Sequence, residues 1–222
     1  MEKNLIFISD THGLHDRISV PNGDILIHCG DMSSRGLLNE VTNFSEWFCK
    51  LPHKYKVIIP GNHDFIFEKN DQIHKELFED KGVIFLNDSQ TEIEGIKIWG
   101  SPITPYFNNW AFNRFRGSSI ESHWNKIPDG MDIVITHGPP ANIGDLGRVI
   151  EGEDVGCEDL YKSLAHRVKP KINCFGHIHE GYGILEQDEI IFINCSILNR
   201  SYKITNEPVK VKYSGNKFSV IK

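Results

Sequence analysis

The sequence predicts an α/β fold built on a mixed sheet or on two packed sheets. Three observations predict it. Runs such as "NLIFIS", "KVIIPG" and "DIVITHG" are near-continuous apolar stretches, the pattern of strands covered on both faces. Helical periodicity sits between the early runs, so strands and helices alternate. The last strand-like runs follow one another closely with short turns, which indicates an antiparallel portion. With 222 residues, 39% hydrophobic and 24% charged, the chain suits one soluble domain over 1–222, with a core large enough to fold unaided.

Along the chain, strands are expected at "NLIFIS", "DILIHCG", "KVIIPG", "VIFL", "IKIWGS", "DIVITHG", "KINCFGH", "GYGILEQ", "EIIFINCS", "PVKVKY" and "KFSVIK". Leu37, Val41, Phe44, Phe48 and Leu51 recur at i, i+3/i+4 spacing and predict a helix over 37–51, which Pro52 stops. Weaker periodicity predicts helices over 70–80 and over 157–168, the latter on Leu160, Leu164 and Val168. Two stretches, 101–119 and 138–156, read as long irregular insertions, which in compact domains often form lids or binding loops. The first carries Tyr106, Phe107, Trp110, Phe112 and Phe115 with Arg114 and Arg116. Its aromatics suit stacking of bases, packing of the loop onto the domain, or a subunit contact of a homodimer, and its arginines suit phosphate. The second carries Asp145 and Arg148 and is a candidate cover for the same mouth.

Formal net charge is −6, which argues against nucleic-acid binding through bulk charge. No apolar run approaches the roughly 20 residues of a membrane helix. The opening "MEKNLIFISDTHG" has neither leader nor transit character, so a cytoplasmic location is the expectation. The five cysteines are odd in number and form no CxxC pair, and are read as small buried hydrophobes in a reducing compartment.

One event recurs five times. A hydrophobic strand ends, and glycine occurs together with metal-liganding residue types: "FISDTHG", "ILIHCGD", "VIIPGNHD", "IVITHG" and "NCFGHIHEG". These supply Asp10 and His12, Asp31, Asn62 and His63, His137, then His177 and His179. On an extended chain residues i and i+2 share a face, so the last two imidazoles converge. Open α/β sheets bind ligands outside the carboxyl ends of their strands, and glycines let the backbone turn sharply there. Carboxylate, imidazole and amide donors suit Mn, Fe or Zn rather than a thiolate site. Without His63 the candidates number seven, too many for one tetrahedral ion, and they fit two ions sharing a carboxylate. Taken singly, each has a plainer reading: Asn62 as a turn residue, Asp10 as a cap, a lone histidine as a surface residue. The joint pattern is what favours the metal reading.

The series "SDTHG", "CGD", "GNHD", "THG" and "GHIH" resembles, in the same order, the motifs of calcineurin-like metallophosphoesterases, over residues 9 to 179. Intervening text such as "GIKIWGSPITPYFNNWAF" and "KPKINCFGHIHEGYG" is similar to the metallophosphoesterase-domain-containing group. The resemblance implies a four-layer α/β/β/α sandwich of two mixed sheets. It implies that Asp10, His12 and His179 hold a first metal, that Asp31 bridges, and that Asn62, His137 and His177 hold a second, with Mn favoured. It places His63 beside the phosphate as a hydrogen-bond donor or general acid, with Asn62 and Arg35 as further phosphate contacts. Arg35 also reads as a solvated loop charge, and Asp64 as a turn carboxylate or an orienting group. Many relatives carry a second Asp where "GDMSS" has Ser34, which supplies no negative charge to the histidine.

The function expected is hydrolysis of small phosphodiesters by in-line attack of a metal-bridging hydroxide, the resemblance implying cyclic nucleotides. A phosphomonoesterase or nuclease of the same family, and a metal-binding scaffold without catalysis, are the alternatives. Among the other histidines, His28 is expected to be packed, His15 to lie near the site as a weaker candidate, and His53, His74, His123 and His166 to be surface residues.

Overall fold

The computed structural model describes residues 2–70, 72–150 and 152–221. Residue 71 of the expected 70–80 helix and residue 151 of the expected 138–156 loop lie outside the described residues. In chain order the strands are β1 (Lys3–Ile8), β2 (Ile25–His28), β3 (Tyr55–Ile58), β4 (Ile84–Phe85), β5 (Ser89–Ile93), β6 (Ile96–Ser101), β7 (Thr104–Pro105) and β8 (Asn113–Arg114). Then come β9 (Ile133–Thr136), β10 (Ile172–Phe175), β11 (Gly183–Gln187), β12 (Ile190–Asn194), β13 (Val209–Ser214) and β14 (Lys217–Ile221). The α-helices are α1 (Leu38–Lys50), α2 (Phe65–Lys69), α3 (Ile73–Leu77), α4 (Ser118–Trp124) and α5 (Glu158–Lys162), the last continuing as a π-helical turn over Ser163–Val168.

Two six-stranded mixed sheets form, in the orders β14-β13-β1-β2-β3-β4 and β11-β12-β10-β9-β6-β5. The interior of each is parallel, and antiparallel strands close the β14/β13 edge of the first sheet and both edges of the second. Alternate residues explain the layering. Leu5 and Phe7 of β1 pack with Ile25, Ile27 and Val57 against Ile98, Ile133, Ile135 and Ile172 of the other sheet. Ile6 and Ile8 face the opposite way, into a cluster with Val41, Phe44 and Phe48 of α1. On the far sheet, Trp99 of β6 meets Trp124 of α4 edge-on at 6.5 Å. Helix, sheet, sheet and helix therefore stack, and strands buried on both faces must be apolar throughout. This is the expected four-layer α/β/β/α sandwich.

The expected 37–51 helix is α1, although Leu37 and Leu38 are exposed and only its Val41, Phe44 and Phe48 stripe is buried. The expected 70–80 helix is shorter than its span: α3 covers Ile73–Leu77 and a 3-10 turn follows at Glu79–Lys81, while a separate helix, α2, precedes it at Phe65–Lys69. The 101–119 segment is not wholly irregular. The short parallel pair of β7 and β8 ties it, and α4 begins inside it. His28 is packed as expected, 4.9 Å from the Phe44 ring. His15 packs on Phe44 and Trp47 rather than on the site. His53 is not a surface residue: it is buried, with Nε2 3.0 Å from the Pro21 carbonyl. His74 is half-buried, stacked on Phe85, and His123 is half-buried against Asp88.

Candidate metal centre

The carboxyl ends of β1, β2, β3, β9 and β10 come together because the two sheets join there. Ser9, just after β1, bridges Ser196, just after β12. All eight strand-end residues meet at this junction. Asp10, His12 and His179 bring ligand atoms within 4.8 Å of one another, as do Asp31, His137 and His177, and also His12, Asp31 and His63. Asn62 Oδ1 lies 2.8 Å from His137 Nε2.

The backbone bends sharply to aim these groups. Asp10, His12, Asp31 and His177 all take left-handed φ values, of 54°, 39°, 55° and 65°. Such conformations cost a non-glycine residue on the order of 1–2 kcal/mol and collect at functional sites. The glycines beside them play a partly different role from the sharp turns expected. Gly30 does turn, with φ 101°, but Gly61 and Gly176 are there for clearance: a Cβ would strike the Asp31 carboxylate at the first and that of Asp10 at the second. His177 is likewise not in an extended strand, so its convergence with His179 comes from this turn and the 3-10 turn His179–Gly181, not from strand parity.

Hydrogen bonds hold each donor. The His177 N–H donates to both Asp10 oxygens at 3.1 and 3.0 Å, and Ser196 Oγ donates to Asp10 Oδ2 at 2.8 Å. The His63 N–H donates to Asp31 Oδ1 at 2.8 Å. Four imidazoles are oriented alike: Nδ1 faces a backbone carbonyl, of Ser33 for His12, Ser34 for His63, Cys29 for His137 and Asn199 for His179. A carbonyl can only accept, so Nδ1 carries hydrogen and Nε2 is presented to the centre, the usual outer support of metal-binding histidine.

Do these residues fit a metal? His12 Nε2 and His179 Nε2 point at one another across 3.3 Å, and two lone pairs so placed require a proton or a cation between them. The protein's own charges repeat the demand. Burial would push Asp10 up, but the hydrogen bond and charge of His179, with His137 and His12, hold it well below the carboxylate range. Burial opposes charge on His137, yet Asp31 pushes it up to about 9; His179 is likewise pushed up to about 9, by Asp10. Burial pushes His12 and His177 down to about 4, against the pull of Asp31 and Asp10. The two carboxylates thus draw positive charge to two places, and the donor set of oxygens and imidazoles, with no thiolate, fits divalent ions there.

The centre lies at the base of a cavity of about 240 Å³. His63 stands in its wall, its ring stacked on Trp110 at 4.1 Å and edge-on to His12 at 4.6 Å. Ser34 keeps a role despite its missing charge, because its carbonyl takes the 2.8 Å bond from His63 Nδ1. Asp64 is no simple turn residue. Fully buried, it accepts from Ser33 Oγ and N, Met32 N and Gly61 N, tying the loop after β2 to the loop after β3. Arg35 does not join the other predicted site residues: it is exposed and outside the lining, and its N–H donates to Glu40, whose carboxylate also receives the Leu37 N–H ahead of α1. Asp145 and Arg148 are exposed and outside the lining as well. The wall instead contains Arg200 and Tyr202, which sequence reasoning missed. Tyr202 sits 5.0 Å from the His12 ring and 5.2 Å from that of His179. Their one signal was topological, a sixth strand, β12, parallel to β10 and ending at the same junction.

Comparison with known proteins agrees with this geometry. A profile described as Calcineurin-like phosphoesterase matches residues 3–181. Human "Metallophosphoesterase domain-containing protein 1" is 38% identical over 228 residues, 93% of this chain and 69% of that protein. A more distant relative from Arcobacter nitrofigilis, named "Probable glycerophosphodiester phosphodiesterase GpdQ", is 26% identical over 167 residues, 75% of this chain and 60% of its own. The solved structure of TT1561 from Thermus thermophilus superposes with a TM-score of 0.61 at 10% identity, over 99% of this chain and 98% of that one.

Proposed function

Because the chain belongs to the calcineurin-like phosphoesterase family, hydrolases of phosphoric esters, we propose that it is a dinuclear phosphodiesterase acting on small, nucleotide-like diesters. The observation that carries the reading is the position of Asp31. Its Oδ2 lies 3.6 Å from His12 Nε2 and 3.3 Å from His137 Nε2, within reach of both ligand groups. Asp10, His12 and His179 would hold one ion, Asn62, His137 and His177 the other, and Asp31 both. Two Mn ions so held would supply Lewis acidity and lower the pKa of water toward neutrality.

The chain's own groups do the rest. His63, fixed by the Ser34 carbonyl and the Trp110 ring, turns Nε2 toward the cavity, where its protonated form donates to a phosphoryl oxygen or to the departing alkoxide. Arg200 adds positive charge to the wall, with Glu180 at 3.8 Å from its Nε. A singly charged diester matches that mixed wall better than a dianionic monoester does, and the Arcobacter relative, named as a probable glycerophosphodiester phosphodiesterase, points the same way. The net charge of −6 disfavours a polymeric nucleic acid.

The test is metal titration of chelator-treated protein against bis(4-nitrophenyl) phosphate and 4-nitrophenyl phosphate. Activity is expected to return at about two Mn per chain and to favour the diester. Full activity with a single ion, or preference for the monoester, overturns the reading.

A further inference from the structure

A second cavity, of about 430 Å³, adjoins the metal cavity, and Phe107, His177 and Glu180 line both. The two long loops build it. Tyr106 and Phe107 come from one, Pro139, Val149 and Val155 from the other. Arg116 straps the loops together, donating to the Gly156 carbonyl at 2.7 Å and to that of Val155 at 3.0 Å. The Gly117 N–H adds a bond of 2.9 Å to Asp159. These bonds tie one wall of the chamber to the other.

Its chemistry is selective. Tyr106 and Phe107 are 47% and 58% exposed, large aromatic faces left to solvent beside the centre. The Tyr106 ring is held in plane by Phe115, stacked at 4.8 Å and 21°. Rings presented in this way suit a flat partner. The charged lining is Glu153, Asp154 and Glu180 against Arg116, three carboxylates to one guanidinium, a formal charge of −2. The guanidinium is already turned to carbonyls. A further phosphate would meet net repulsion here, whereas a neutral ring would not.

We propose that this chamber holds a neutral aromatic base carried by the non-departing group of the ester while its single phosphate lies at the metal centre. The proposal rests on the phosphodiesterase reading above and narrows it: mononucleotide-like diesters are accepted, and esters bearing another phosphate on that group are rejected.

Three chromogenic esters test it on the metal-loaded protein: thymidine 5′-(4-nitrophenyl phosphate), the same compound with a 3′-phosphate, and methyl 4-nitrophenyl phosphate. The thymidine ester is expected to exceed the methyl ester in kcat/KM by about tenfold or more, the size of one base stacked on an aromatic ring. The 3′-phosphate is expected to remove most of that gain. Tyr106→Ser, a substitution at an exposed position, should raise KM for the thymidine ester several-fold more than for the methyl ester. Equal kcat/KM for the thymidine and methyl esters, preference for the 3′-phosphate, or an equal effect of Tyr106→Ser on both esters overturns the proposal and leaves the phosphodiesterase reading standing. If no ester is hydrolysed, that reading fails, and thymidine binding to the metal-free protein decides the chamber alone. A saturation-transfer signal weakened by Tyr106→Ser supports it; no signal with the unmodified protein, or one that Tyr106→Ser leaves unchanged, overturns it.

Discussion

Asp64 should brace this centre through its hydrogen bonds, although burial and the nearby Asp31 charge push its carboxyl up to about 6. Its two oxygens accept four hydrogen bonds in a site closed to solvent: Oδ1 from Ser33 Oγ at 2.6 Å and Ser33 N at 3.0 Å, Oδ2 from Met32 N at 3.3 Å and Gly61 N at 2.7 Å. Asp64→Ala strands four donors, of which the Ser33 hydroxyl can rotate to another acceptor and three backbone N–H groups cannot. At about 1–3 kcal/mol for each buried donor left unpaired, the loss is at least about 3 kcal/mol. For a chain of this length that lowers the melting temperature by roughly 6–12 °C. The damage has an address, because the stranded groups belong to the loops that carry Asp31 on one side and Asn62 and His63 on the other. Thermal melts of the metal-free protein followed by circular dichroism measure the first effect, and calorimetric titration with Mn measures the second. A variant that melts within about 2 °C of the parent (about 0.5–1 kcal/mol by the same conversion) and binds metal as tightly would show that Asp64 does not brace the centre.

Three further outcomes are expected. Asp31→Asn should cut kcat by ~10³ and weaken both metals together, read by metal content after dialysis beside activity; loss of one metal alone would exclude a bridging role. Asp88 is held below its usual range: burial raises it, and Lys126, Ser101 and His123 more than offset that. A depressed carboxylate stabilises the fold above its unfolded value near 4 and loses that contribution as pH falls through the folded value, so Asp88→Asn should cost about 1 kcal/mol at about pH 7 and progressively less as pH is lowered below about 4 in paired urea titrations. Cys29, Cys157, Cys174 and Cys195 are buried with thiols pushed up by burial, whereas Cys49 is half-buried, so a thiol-reactive dye should label Cys49 first and the other four after unfolding.

The layers and the cluster of strand-end side chains were legible because each leaves a local mark. Strands packed on both faces must be apolar end to end, and Asp, His and Asn recurring where such strands stop stand out against them. What left no mark was either marginal or remote. β5 reads "SQTEI", with Ile93 its one buried apolar residue, because it is a sheet edge that needs little else. β7 and β8 are two residues each, below any periodicity. Arg200 and Tyr202 reach the cavity only because β12 lies beside β10 and ends at the same junction, a neighbourhood that no window of residues around 200 contains.

Asp64 and Ser34 show why position along the chain misleads about role. Asp64 follows Asn62 and His63 in a turn, where a carboxylate has a plain local explanation, yet its partners are Ser33 and Met32, 31 and 32 residues earlier, as well as Gly61. Ser34 stands where a side-chain acid is expected, and its contribution to His63 comes from the backbone, which every residue type has. The same logic governs the four left-handed residues. Nothing about Asp or His as residue types demands φ above zero; the demand comes from two stacked sheets whose strands end at one shared junction, where the chain turns within a few residues of each last ladder pair. The energy for that reversal is supplied by bonds such as those of His177 N–H and Ser196 Oγ to Asp10. Both Asp10 oxygens share the His177 N–H, but only Oδ2 also receives Ser196 Oγ, which leaves Oδ1 the less committed oxygen and the one that lies 3.5 Å from His179 Nε2.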